Sequence, residues 1–137
     1  MTEHPVEIWH RLVSTRDSSG LKLLLSEDAV FYSPVVHTPQ RGRGLAFAYL
    51  SAAFEVFFNP TFRYVREIVG PSDAMLEFET EIDGILVNGV DIMKWNDVGQ
   101  IVEFKVMLRP LKAINLIQQR MAAMLQSRAQ SFPVSTG

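Results

Sequence analysis

The sequence predicts one α+β domain in which a long, curved antiparallel sheet wraps an apolar pocket. Three observations carry this. The last two-thirds of the chain hold four β-rich segments in a row, the final three separated by tight turns, which makes a meander. Helical periodicity is confined to the segments before the meander and to one segment after it. Hydrophobic residues reach 47% and nine are Phe, a large apolar supply for 137 residues, which must go into a core, a pocket or a subunit interface.

The elements follow in order. Pro5 opens a first helix, as proline does at a first turn, and Val6, Trp9 and Val13 recur at helical spacing with Ile8 and Leu12 beside them. Ser18-Ser19-Gly20 ends it, and a short helix from Leu21 to Leu25 follows. Ala29 to Ser33 reads as a strand stopped by Pro34. Pro34 to Gly44, with two prolines, two glycines, His37, Arg41 and Arg43, reads as a loop. Leu45 to Phe58 is a helix with Phe47, Leu50, Phe54 and Phe57 on one face, ended by Asn59-Pro60 because the residue before proline avoids helical backbone. Strands are expected at 61–69, 73–82, 85–95 and 100–109. Asp83-Gly84 is a two-residue hairpin signal, and Asn96 to Gly99 gives a second turn. A last helix runs from Pro110 to about Arg128, its stripe being Leu111, Ile114, Ile117 or Gln118, Met121, Met124 and Leu125. The expected division is one domain over 1–128 and a flexible tail over 129–137.

Bulk composition narrows the function classes. A net charge of −2 with both signs interspersed is a poor footprint for nucleic acid. No run approaches the ~20 apolar residues of a membrane span, and the first ten residues lack a signal-peptide core, so a cytoplasmic location is expected. The absence of cysteine excludes disulfides, thiolate metal sites and a cysteine nucleophile. His4, His10 and His37 have no ligand spacing, and Glu77, Glu79 and Glu81 share a strand face that reads as solvated, so neither a metal nor a cofactor is expected. Arg41-Gly42-Arg43-Gly44 lacks the lysine and setting of a phosphate-binding loop.

Strand parity singles out Asp91. It shares a face with Val87, Met93 and Trp95, and a carboxylate in an apolar row must find a partner or stay protonated. It is either a proton-exchanging group in a pocket or a buried, hydrogen-bonded structural residue. The opposite face of the same strand carries Leu86, Val90 and Ile92. An apolar stretch on both faces points to a homodimer through the sheet, the alternative being that the C-terminal helix covers that face. On the last strand, Val102, Phe104, Val106 and Leu108 alternate with Ile101, Glu103, Lys105, Met107 and Arg109.

The stretch SEDAVFYSP, the glycine-bearing loop and helix after it, and GVDIMKWNDVGQIVEFKVMLRP resemble the nuclear transport factor 2-like superfamily, and more narrowly the SnoaL-like polyketide cyclases and bacterial ketosteroid isomerases, over about residues 5–110. The resemblance implies a cone-like curved sheet with helices over its concave face, to which this chain adds a C-terminal helix. It also implies that the second catalytic carboxylate of the isomerases falls on Asp91, in Val90-Asp91-Ile92-Met93-Lys94-Trp95. The position of their general base, just before a proline, holds Ser33, and their first-helix tyrosine falls near Trp9. Serine is no base and tryptophan only donates a hydrogen bond, so ketosteroid isomerisation in its known form is not expected. The expected function is binding of an apolar small molecule, with proton-transfer chemistry of isomerase, dehydratase or cyclase type. The alternatives are a ligand-binding module without chemistry, or a protein-interaction or dimerisation domain. The candidate catalytic residues are Asp91 and His37, and the candidate ligand-binding residues are Trp9, Tyr32, Phe54, Phe57, Met93 and Trp95. His10 reads as a boundary residue of the first helix, and Arg41, Arg43 and Arg109 as cations able to meet an anion or simply solvated.

Overall fold

The computed structural model describes residues 3–131. Helix α1 (Pro5–Thr15) begins as the proline requires: His4 is extended, and its ring Nδ1 accepts from the Val6 N–H at 3.1 Å. Val6, Trp9, Leu12 and Val13 form its buried face, and Arg16 ends it in the left-handed conformation at φ 57°. After a single 3-10 turn come α2 (Leu21–Leu24), β1 (Leu25–Tyr32), β2 (Gln40–Arg41), α3 (Arg43–Phe57), β3 (Arg63–Val69), β4 (Asp73–Ile82), β5 (Ile85–Trp95), β6 (Ile101–Arg109) and α4 (Leu111–Ser131).

The six strands form one curved sheet in the order β2-β1-β6-β5-β4-β3. The meander β3-β4-β5-β6 is antiparallel throughout, and β4 turns into β5 through Asp83-Gly84, both at positive φ (52° and 77°), as a two-residue hairpin demands. Helices α1 and α3 lie on the concave face, and their apolar stripes meet Phe31, Phe78, Met93 and Phe104 there in a single core.

Four expectations are corrected. The sheet is not wholly antiparallel: β1 runs parallel to β6, since a strand so distant in sequence joins by a crossover and not by a turn. Strand β1 starts at Leu25, four residues earlier than expected. Leu25 is buried against Ile101, and the polar run after it hid the strand. Ile101 faces inward, because β6 carries a bulge: Lys94 pairs Glu103 while Trp95 pairs Ile101, so one extra residue shifts the parity. The stripe of α4 begins at Ala113 and not at Leu111, which is 71% exposed, and continues as expected through Ile117, Met121, Met124 and Leu125.

Helix α4 continues through Ser131, and residues 132–137 of the expected tail lie outside the described residues. The helix packs within its own chain, on α3 and on β5 and β6. Arg128 donates to the Ser51 hydroxyl (2.7 Å) and to the Ser51 carbonyl (3.2 Å), and Arg120 pairs with Asp83. It therefore does not cover the convex face, where Ile68, Met75 and Met107 are exposed.

Candidate functional site

The site begins with a bulge. In β3, Tyr64 pairs Phe78 and Arg66 pairs Glu77, so Val65 is an extra residue. Without it Tyr64 and Arg66 would share a face. With it, Arg66 points outward to Glu77 and Tyr64 points into the cone. Asp91 sits at the middle of β5 between Leu76 of β4 and Val106 of β6, and the pleat turns it inward, 6% exposed.

Three side chains from three elements meet there. The Trp9 indole Nε1–H of α1 donates to the Tyr64 hydroxyl at 2.8 Å. The Tyr64 O–H donates to Asp91 Oδ2 at 2.7 Å. Burial pushes the Asp91 carboxyl up to about 7, and the Tyr64 hydrogen bond opposes that by favouring the charged form. The Tyr64 phenol is itself held well above its ordinary range, first by burial and then by the neighbouring carboxylate. At the outer side of the Tyr64 ring, His10 lies edge-on at 5.2 Å and pairs with Glu67, both half exposed.

Asp91 lines a cavity whose other walls are apolar: Trp9, Leu50, Ala53, Phe54, Phe57, Phe58, Phe62, Phe78, Phe104 and Val106. Its volume is about 20 Å³, room for a single water. The rings interlock edge to face. Phe58 stands 4.6 Å from Phe54 and 4.5 Å from Phe62, and Phe62 in turn 5.1 Å from Tyr64. Phe58, Phe62 and Ala53 are the half-buried members, so the wall between cavity and solvent lies there. Arg16 lies over the Phe58 ring at 5.4 Å and donates to the Asn59 carbonyl at 3.1 Å.

Of the residues proposed from sequence, Trp9, Phe54, Phe57 and Asp91 come together here. Met93 is fully buried in the core and does not reach the cavity. Trp95 lies at the far end of β5, its ring 5.1 Å from His4. Tyr32 and His37 line a separate open groove of about 600 Å³ with Ser33, Pro34, Pro39 and Lys105. The reason is parity: Phe31 takes the inward place on β1, so Tyr32 faces out under Lys105, whose Nζ stands 5.0 Å from the ring. His37 follows in the loop beyond and is not paired with Asp91 by this fold. Ser33 accepts from the Val35 and Val36 N–H groups (3.1 and 3.2 Å), a turn-forming role. Arg43 donates to the Leu25 carbonyl, and Arg109 borders the convex face. Sequence reasoning missed Tyr64, Phe58, Phe62 and Phe78. The alternation of Phe62 and Tyr64 in a short aromatic run was the available signal.

No helix among the described residues is long and apolar enough to cross a membrane. A family profile described as SnoaL-like domain matches residues 6–104. Among solved structures, a steroid delta-isomerase from Pseudomonas aeruginosa is 33% identical, with 92% of each chain covered and a TM-score of 0.87. An uncharacterized protein with a cystatin-like fold from Silicibacter pomeroyi is 29% identical over 93% of this chain and 91% of its own, with a TM-score of 0.82. A nuclear transport factor 2-like protein of unknown function from Mesorhizobium loti, 24% identical with a TM-score of 0.66, covers 77% of this chain and 91% of its own. No curated protein matches the chain. Matched over most of its length by the family profile, and along nearly all of it by a structure one-third identical, the chain belongs to the SnoaL-like domain family.

Proposed function

We propose that this domain binds a small apolar molecule bearing a carbonyl or hydroxyl oxygen, and that Asp91 meets that oxygen as a neutral acid. The observation that carries the reading is a carboxyl group, buried and pushed up to about 7, on the wall of an otherwise apolar, aromatic cavity. A neutral carboxyl in such a place donates a hydrogen bond, and passes its proton where the ligand's chemistry calls for one. The chemistry this supports is proton transfer beside an oxygen function, as in isomerases, dehydratases and cyclases. The similarity to a protein named as a steroid delta-isomerase supports the same class of ligand. A second carboxylate base does not enter the reading, because Ser33 stands in its place and is used in a turn.

A cavity of about 20 Å³ is far smaller than the ~300–1,000 Å³ of ligand sites, so binding requires the rings to part. Phe58 and Phe62 are the members to move, being half-buried and held by ring edges and Arg16.

The test is a thermal-shift titration of wild type and Asp91→Asn with steroids, terpenoids, polyketides and acyl chains. A ligand at a hundred times its dissociation constant adds ~2.7 kcal/mol, a shift of roughly 6–10 °C for this size. A shift that shrinks in Asp91→Asn supports the reading, and incubation with that ligand then seeks product. No shift from any apolar class contradicts it.

A second reading concerns assembly and is favoured by the convex face. Ile68, Met75 and Met107 are 62%, 46% and 52% exposed around a shallow groove of about 350 Å³, rimmed by Arg66, Glu77 and Arg109. We propose that two copies pair there. Sedimentation equilibrium is expected to give a dimer for wild type and a monomer for Met75→Glu; a monomeric wild type contradicts this.

A further inference from the structure

We infer that the groove beside the end of β1 is a second binding site, for a small apolar molecule carrying one carboxylate, which Lys105, Ser33 and His37 hold by its charge. The site stands independently of what the Asp91 cavity binds.

The groove exists because two neighbouring strands end at different points. Strand β1 runs parallel to β6 and last pairs with it at Tyr32–Lys105. Strand β6 continues to Arg109 with β5 on one side, so from Val106 onward its other edge has no strand beside it among the described residues. The chain turns away at that point. Pro34 cannot donate to a ladder, and Ser33 Oγ takes the Val35 and Val36 N–H groups at 3.1 and 3.2 Å. Val35 then anchors the loop on the core, while Pro34 and Pro39 restrict its backbone. Between this loop and the free edge lies a trough of about 600 Å³, floored by Val106, Met107 and Leu108. That volume falls within the ~300–1,000 Å³ of small-molecule sites. A wall already in place lowers the ordering cost of binding.

The chemistry of the walls is one-sided. Lys105 Nζ stands 5.0 Å from the Tyr32 ring, an attraction that holds the ammonium in place and uses none of its three N–H donors. Among the described residues Lys105 has no ion pair. Ser33 Oγ accepts twice, and its own proton has no acceptor among the described residues. The exposed His37 ring adds a further N–H donor from the loop. No Asp or Glu of the described residues lines the groove. An uncompensated cation and a free hydroxyl above an apolar floor match a carboxylate on an apolar body, because the carboxylate accepts from both donors at once. A neutral molecule of the same shape gains only the floor, and a cation is repelled. Met107 and Leu108 also border the convex groove, and none of the other lining residues does, so the site opens at the margin of the face where copies are proposed to pair.

The test is a titration of the full chain with 2-naphthoate and with its neutral isostere 2-naphthamide, followed by backbone amide NMR. 2-Naphthoate is expected to bind roughly tenfold more tightly than 2-naphthamide. It is expected to move the signals of Ser33, Val35, Val36, Lys105 and Met107 and to leave those of Phe58, Phe62 and Tyr64 in place. Val106 borders both spaces and is left out of the comparison. Lys105→Gln is expected to bring the two probes within about twofold of each other, and Lys105→Arg to keep the preference. Binding of neither probe to wild type at millimolar concentration, equal affinity for the two, or shifts centred on Phe58, Phe62 and Tyr64 overturns the inference, as does a preference unchanged in Lys105→Gln. The wild-type ratio and shift map decide even where a variant fails to fold.

Discussion

The two faces of the central sheet treat the same functional group in opposite ways. On the convex face, Glu77 and Glu79 of β4 lie beside Arg66 and Arg63 of β3, at 3.4 and 2.7 Å, with the arginines largely in water. On the concave face, Asp91 of the adjacent strand has no cation beside it among the described residues, and its hydrogen bond comes from a phenol. Exposed ion pairs contribute ~0–1 kcal/mol. A buried carboxyl with one neutral donor instead holds its proton far longer. The carboxyl of Asp91 is thus set apart from those of Glu77 and Glu79 by the face it occupies, buried on the concave side of the sheet.

The comparison can be broken most forcefully at Asp91. Its folded-state carboxyl is raised from 3.8 to about 7, so the folded protein binds more protons than the unfolded chain between those values. Stability therefore falls as pH rises from about 4 through 7 and levels off above. Asp91→Asn removes the ionisation but keeps an acceptor for Tyr64. It is expected to be more stable than wild type at pH 8.5 by about 2–4 kcal/mol and to lose most of that advantage at pH 5, measured by urea denaturation. A variant less stable than wild type at both pH values contradicts this.

The next effect concerns the packing that keeps water out. A Cβ on Gly89, one pleat before Asp91, would lie 2.5 Å from Phe78 Cζ and 2.8 Å from the Met107 carbonyl oxygen. Gly89→Ala is expected to cost about 1–3 kcal/mol in the same assay, and to push the Phe78 ring toward the cavity. Leu86→Ala, on the convex side at 56% exposure, is expected to stay within about 0.5 kcal/mol. The smallest effect is at the convex ion pairs: Glu79→Gln is expected to change stability by less than about 1 kcal/mol in the same assay.

How much of this was legible beforehand follows from which signals are local. The spans of β4 and β5 and the inward place of Asp91 could be read because turn residues bound the strands and no bulge interrupts their alternation. Trp9, Phe54 and Phe57 could be placed because helical spacing puts them on inward stripes. Tyr64 could not, because the bulge at Val65 resets the parity of β3, and a bulge leaves no reliable mark in sequence. A bulge in β6 likewise reversed Ile101. His37 and Tyr32, candidates at the end of the first strand and in the loop after it, lie apart from Asp91, because one pleat separates inside from outside and Phe31 takes the inside. Cavity size was illegible for a related reason: Phe58 and Phe62, from the connection between α3 and β3, converge with Phe78 of β4, and their interlocking is tertiary.

The most direct test of the central claim is a carboxyl ¹³C NMR titration of Asp91, assigned by its loss in Asp91→Asn. The account predicts a midpoint near 7, moving further up in Tyr64→Phe as the hydrogen bond that favours the charged form is removed. A midpoint near 4, unmoved by Tyr64→Phe, would mean that Asp91 is hydrated and ionised, and would contradict the account.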